Sequence, residues 1–288
     1  MKNRWEYLFI QRTIDRVHQK HNIMTGQSQR AYADLMVSKK KYILIVVHVR
    51  NRLEDEGVSL HWHGLRMRGN NMMDGAVGIT QCPVPSGKDF TYDFTIGDDE
   101  HGTFWWHSHH SVQRGDGLFG GLVVHKPAAE SSSRLESEVD EVLVLVGDWF
   151  HQKQADVLSW YGHWSSMGNE PVPDSLQING YGRFICSMAV PARPVDCHDK
   201  ALADMKPVFR KMANQTRLRV VNVGTIAGIS LMVDGATLNP IEVEGGCAVK
   251  SDEGDAAGVL YPGERMDMMM SRRNEATDAW FNVYLDDE

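Results

Sequence analysis

His61-Trp62-His63-Gly64 and Trp105-Trp106-His107-Ser108-His109 are the two stretches on which the reading of this chain turns. In a β-strand alternate side chains leave by the same face, so a His-x-His spacing aims both imidazoles of a pair to one side. Two such strands can bring four imidazoles to one metal centre. Imidazole ligates copper, zinc, iron and nickel, and four histidines with no carboxylate or thiolate nearby favour those metals over calcium or magnesium. Spacing alone does not choose among them. A single His-x-His is also the ordinary pattern of a half-exposed strand edge, so the weight rests on the repetition of the pair and on the tryptophans and small residues around it.

Working outward, the first pair is followed by Asp74-Gly75-Ala76-Val77-Gly78-Ile79-Thr80-Gln81-Cys82-Pro83-Val84-Pro85. The second lies within His101-Gly102-Thr103-Phe104-Trp105-Trp106-His107-Ser108-His109 and is followed by Gly115-Asp116-Gly117-Leu118-Phe119-Gly120-Gly121-Leu122-Val123-Val124. Together these motifs resemble the first cupredoxin domain of the multicopper oxidases, in particular the laccase-like group of filamentous fungi. The resemblance runs from about Val47 to Pro127.

The resemblance implies an all-β chain built from cupredoxin-like Greek-key barrels or sandwiches. It implies that His61 ligates a type 2 copper and that His63, His107 and His109 ligate a type 3 pair, within the three-copper cluster that reduces dioxygen to water. Asp74 matches an acid behind the ligands, which would orient them or relay protons. Read locally, Asp74 is a turn residue before Gly75. Trp62, Trp105 and Trp106 read as packing that shields the site.

Strand signals bracket these motifs. Trp5 to Arg12 reads as a first strand, and Tyr42 to Arg52 and Phe90 to Ile96 as further ones, with Leu118 to His125 closing the barrel. The stretch Thr13 to Lys41 departs from the family pattern, and its Lys39-Lys40-Lys41 reads as a solvated turn. Domain 1 is therefore placed at residues 1–127. Pro127 to Ser133 has linker composition, which puts a connection at 128–140.

New strand signals follow at Val142 to Val146, Leu176 to Ile178, Thr216 to Val223, Ile229 to Val233 and Ala279 to Leu285, with Gly- and Pro-rich turns between them. Residues 141–288 resemble the middle cupredoxin domain of the same family, including Pro262-Gly263-Glu264-Arg265-Met266-Asp267. That domain holds no copper in three-domain members. Met266, Met268, Met269 and Met270 invite a copper(I) reading, but the period-2 spacing of a buried strand accounts for three of them more simply.

The family's type 1 copper takes electrons through a His-Cys-His segment, and its third domain carries His-Pro-x-His-Leu-His. Neither motif occurs in these 288 residues. Half of the cluster's ligands are thus present and the type 1 ligands are absent. The implied partners are dioxygen, a small phenolic or metal-ion reductant, and a third cupredoxin domain in a longer product. Asn169-Glu170-Pro171-Val172-Pro173 resembles a loop in which ferroxidases place an iron-binding glutamate. Read locally, Glu170 is a solvated loop residue, since glutamate is mostly exposed. A non-catalytic copper-binding module, a zinc hydrolase site and a cupin site are the other fates of paired histidines. A cupin needs a glutamate ligand, and a zinc hydrolase needs a base beside an open coordination position.

The chain's net charge of -8 argues against nucleic acid as a partner. The longest apolar run, Tyr42 to Val49, is of strand length, far short of the roughly 18 residues that cross a bilayer. Met1 to Ile10 lacks the apolar core of a signal peptide, whereas the resemblance implies an extracellular protein. It also implies a disulfide between Cys186 and Cys197, and leaves Cys82 and Cys247 without assigned partners.

Overall fold

The computed structural model describes residues 9–12, 35–38, 43–126, 140–189, 197, 209, 212–273 and 279–286. Two compact units divide the chain. The first is Met1–Glu138 with Glu242–Val249, the second Val139–Ile241 with Lys250–Glu288. Within the first unit Lys126 reaches Glu242 at 3.9 Å, so the segment Glu242–Val249, which the sequence reading assigns to residues 141–288, groups with the first.

The strands of the first unit are β1 (Phe9–Arg12), β2 (Leu35–Ser38), β3 (Ile43–Arg50), β4 (Leu60–His63), β5 (Asp89–Ile96), β6 (Gly102–Ser108) and β7 (Phe119–His125). They form two sheets, ordered β1-β3-β5 and β2-β7-β6-β4. Alternation explains the faces: Ile45, Val47 and Val49 of β3 and Tyr92, Phe94 and Ile96 of β5 meet Leu60, Trp62, Phe104, Trp106, Leu122 and Val124 in one core. Tyr92 stitches the two sheets together, accepting a hydrogen bond on its hydroxyl from the Leu60 N–H at 2.8 Å. Burial pushes that phenol up to about 12.

The expected first strand is present from Phe9, while Trp5 and Tyr7 lie outside the described residues. Within the atypical stretch Thr13 to Lys41, Leu35–Ser38 forms a strand after all, parallel to β7. The three lysines and the linker residues 128–139 lie outside the described residues.

After β7 come β8 (Asp140–Trp149), α1 (Gln154–Tyr161), β9 (Ser175–Ile178), β10 (Tyr181–Gly182), β11 (Gln215–Asn222), β12 (Ile229–Val233), β13 (Ala236–Val243), β14 (Cys247–Ala248), β15 (Ala256–Leu260), β16 (Arg265–Arg272) and β17 (Phe281–Leu285), all in the second unit except β14 and the last two residues of β13. The large sheet runs β10-β9-β8-β11-β16-β13-β14, and β15-β12-β17 makes a small one. Val144, Val146, Leu218, Val220, Ile229 and Leu231 build the core, with Met268 and Met270 fully buried in it and Met266 packed against it. The alternating methionines are core residues, as their spacing predicts. On the other face of the sheet Arg217 and Arg219 share the Asp267 carboxylate, and Arg219 also bonds Glu141. Buried charges persist only when paired in this way. Cys186 and Cys197 are joined by a disulfide, and Cys82 and Cys247 are exposed free thiols.

Candidate metal centre

β4 and β6 pair antiparallel in a register that sets His61 opposite His107, Trp62 opposite Trp106 and His63 opposite Trp105. Cross-strand partners share a face, so His61, His63, Trp105 and His107 stand on one side of the sheet. Trp62 and Trp106 stand on the other, in the core. The expectation that all three tryptophans shield the site is therefore corrected. Only Trp105 borders it, stacked on His63 at 4.9 Å and tilted against His107 at 4.4 Å between ring centroids.

β6 can hold a bulky indole on each face because β7 sets glycines, Gly121 and Gly120, opposite Trp105 and Trp106. Trp106 lies opposite Gly120 of β7, and a Cβ there would sit 2.6 Å from the Trp106 indole nitrogen.

The four imidazoles converge. His61 lies 5.6, 5.3 and 5.4 Å from His63, His107 and His109, ring centroid to ring centroid. Ligand atoms of His61, His63 and His107 lie within 4.8 Å of one another. His109 is placed differently. It follows the last residue of β6, is exposed, and keeps its backbone in place through an N–H bond of 3.2 Å to the Ser59 carbonyl.

Hydrogen bonds decide which ring nitrogens face inward. His61 Nδ1 lies 2.9 Å from the Asp74 carbonyl and His107 Nδ1 lies 2.9 Å from the Ser108 carbonyl. A carbonyl only accepts, so each Nδ1 carries the proton and each Nε2 keeps its lone pair for a ligand. His107 Nε2 faces His63 Nδ1 at 3.2 Å. Asp74 acts twice on His61, since its carboxylate also approaches Nδ1 at 3.3 Å. The shorter contact is to its backbone, so its position in the turn and its place behind the ligand are one feature. Gly75 makes that turn possible: it has φ +83, and a Cβ there would lie 1.8 Å from the Leu60 carbonyl oxygen.

Burial holds His107 well below the usual histidine range, with the nearby charges of His61, Arg114 and His63 acting in the same sense. Burial also lowers His61, against the opposing pull of Asp74. Both imidazoles are thus neutral at neutral pH, the form that binds a metal.

The remaining described histidines do not join the cluster: His48, for example, bonds the Thr91 hydroxyl at 2.8 Å, and His151 packs edge-on against Phe184. Among the described residues no carboxylate belongs to the ligand group, which removes the basis of a cupin reading. The Asp74 carboxylate stands behind His61, on the Nδ1 side, which is not where a zinc hydrolase needs its base.

Two multicopper oxidase profiles match the chain, one over residues 11–129 and the other over residues 140–285. The chain belongs to the multicopper oxidase family. Among the relatives of this multicopper oxidase, it is 36% identical over 219 residues to Laccase-1 of Cryptococcus neoformans var. grubii, an alignment covering 70% of this chain and 34% of that protein. It is 34% identical over 233 residues to an iron transport multicopper oxidase of Epichloe festucae, covering 80% of this chain and 33% of that one. The crystal structure of a laccase from Botrytis aclada superposes with a TM-score of 0.68 at 29% identity, covering 88% of this chain and 43% of that one.

Both units have their counterparts in that cupredoxin-like all-β architecture. The chain spans about a third of the length of these curated relatives. Membership implies copper binding, and the donor set fits it: four imidazoles, with the Nε2 lone pairs of His61 and His107 turned inward, suit copper.

The residues that sequence reasoning missed are those that hold the ligands. Ser108 and Gln113 carry no motif of their own, and what they do is visible only in the loop they close.

Proposed function

We propose that His61, His63, His107 and His109 hold copper as the oxygen-side half of a laccase-like multicopper oxidase, His61 at the type 2 position and the other three at the type 3 pair. The carrying observation is the inward turn of the His61 and His107 Nε2 lone pairs, each enforced by an Nδ1 proton given to a backbone carbonyl. Bound copper would supply the electron exchange by which dioxygen is reduced to water. The chain's own residues do the positioning: β4 and β6 present the rings, the Asp74 carbonyl fixes the His61 tautomer, and Trp105 packs dry against His63 and His107. The Asp74 carboxylate, beside Nδ1 of His61, is placed to hold or pass a proton at that edge of the site.

The electron-entry ligands belong to a third cupredoxin domain carrying a His-Cys-His segment, and one-electron oxidation of phenolic or pigment-precursor substrates takes place there. The 288-residue chain alone therefore binds copper through these histidines without oxidising a phenol. Copper per chain and a visible spectrum on purified material test this. Copper bound in wild type, lost in His107→Ala, and without the intense visible absorption of a type 1 centre is expected. Oxygen uptake by the copper-loaded chain with a phenol would overturn it.

A metal-ion reductant is the second reading, favoured by the exposed Glu170 and the similarity to an iron transport oxidase. In the protein joined to its third domain, Glu170→Ala would then slow ferrous oxidation and leave phenol oxidation unchanged. An extracellular location fits the Cys186–Cys197 disulfide, which persists in oxidising compartments. Secretion into the culture medium by the source cells tests it.

A further inference from the structure

His109 lies beyond the last residue of β6, tied to the β4 side, among the described residues, by a single backbone bond, from its N–H to the Ser59 carbonyl at 3.2 Å. We infer that Gln113, which is buried and bonds Ser108, Glu56 and Gly57, is the residue that positions His109. The loop from His109 to Gly117 leaves and returns at Ser108, whose N–H bonds the Leu118 carbonyl at 2.9 Å. Gln113 locks that loop from inside. Its Oε1 accepts from the Ser108 hydroxyl at 2.7 Å, and its Nε2 donates to Glu56 Oε2 at 2.7 Å and to the Gly57 carbonyl at 2.9 Å. Its backbone carbonyl takes the N–H groups of Asp116 and Leu118, and the Ser108 oxygen in turn accepts from the His110 N–H at 3.2 Å.

Gln113 is 3% exposed. Its side chain joins the end of β6, the turn and the segment leading into β4, the three pieces of chain whose relative placement decides where His109 meets His61. Removing a hub of this kind strands several buried polar groups at once. His61, His63 and His107 keep their places because strand pairing holds them.

The inference rests on the copper reading for its consequence, and a metal-free measurement separates the two. In Gln113→Leu the imidazole nitrogen resonances of His109 in the copper-free protein shift or broaden, while those of His61, His63 and His107 stay. Copper affinity falls about 10–100-fold, the range for residues that orient ligands. Leu122→Ala, which loosens the same barrel from its core face, provides the comparison and leaves affinity within about twofold. Should the leucine variant not fold, Ser108→Ala deletes the hydroxyl's bonds to Gln113 and to the His110 N–H and shifts the same His109 signals.

Unmoved His109 resonances in a folded variant would overturn the inference, as would a loss of affinity no greater than in Leu122→Ala. Wild-type protein that binds no copper, with His109 still moved by Gln113→Leu, would overturn the copper reading and leave the positioning role standing.

Discussion

His61 and His107 are direct cross-strand partners, and their rings meet edge-on with centroids 5.3 Å apart. Each donates a hydrogen bond from Nδ1–H to a main-chain carbonyl, one in the Asp74 turn and one at the end of β6. The centre is thus aimed by backbone more than by side chains.

Gly75 and Asp74 separate on this point. Gly75→Ala places a methyl against the Leu60 carbonyl at a left-handed φ, a conformation that alone costs roughly 1–2 kcal/mol. The Asp74 carbonyl has to move. Lower denaturation midpoint and lower copper affinity together are expected. Asp74→Asn keeps the carbonyl and loses only the longer 3.3 Å contact. Its affinity falls less than about tenfold, at the low end for such partners. Titration with copper in the presence of a competing chelator measures both.

The two faces of the Trp-rich strands have different consequences. Trp62 packs on Tyr92 and Phe94 in the core, so Trp62→Ala destabilises the fold by about 3–5 kcal/mol. Trp105→Leu keeps a bulky apolar group but no ring to stack on His63. It lowers copper affinity with a smaller loss of stability. Urea denaturation and copper content, measured on both variants, distinguish these outcomes.

Acid acts on the metal-free protein through His107. Its folded pKa is lowered, chiefly by burial, while the unfolded chain takes up a proton near the ordinary value of about 6.5. Above that pH neither state holds the proton, and there is no contribution. As pH falls below it, only the unfolded state is protonated and stability is lost progressively until the folded pKa is reached. His61 acts in the same direction, reduced by Asp74. Urea midpoints from pH 7.5 to 5 are expected to fall, and His107→Leu to flatten the decline. A midpoint independent of pH in wild type would contradict the buried, neutral imidazole.

Much of this was legible in the residues. The alternation in His61-Trp62-His63 sends both imidazoles to one face whatever the strand pairs with, although Trp62 between them, read as shielding the site, lies in the core instead. The spacing of Met266, Met268 and Met270 likewise puts them on one face. The Asp74-Gly75 turn is likewise local, since its glycine answers to a left-handed backbone. Other features were not. Nothing in Trp105-Trp106 says which ring faces the histidines until β6 is paired with β4. The grouping of Glu242–Val249 with the first unit and the strand at Leu35–Ser38 are also absent from the pattern, because each depends on a partner distant in sequence.

Local periodicity, then, was enough to send the imidazoles of each His-x-His pair to one side of an all-β chain, and the motifs around them, through their resemblance to the multicopper oxidases, pointed to copper. Only the tertiary structure decided that His61 would lie opposite His107, that carbonyls would turn the two Nε2 atoms inward, and that a buried glutamine would tie down the loop bearing His109. The physical reason is that side-chain direction repeats along a single strand. Register and loop closure are instead settled by hydrogen bonds between segments far apart in the chain.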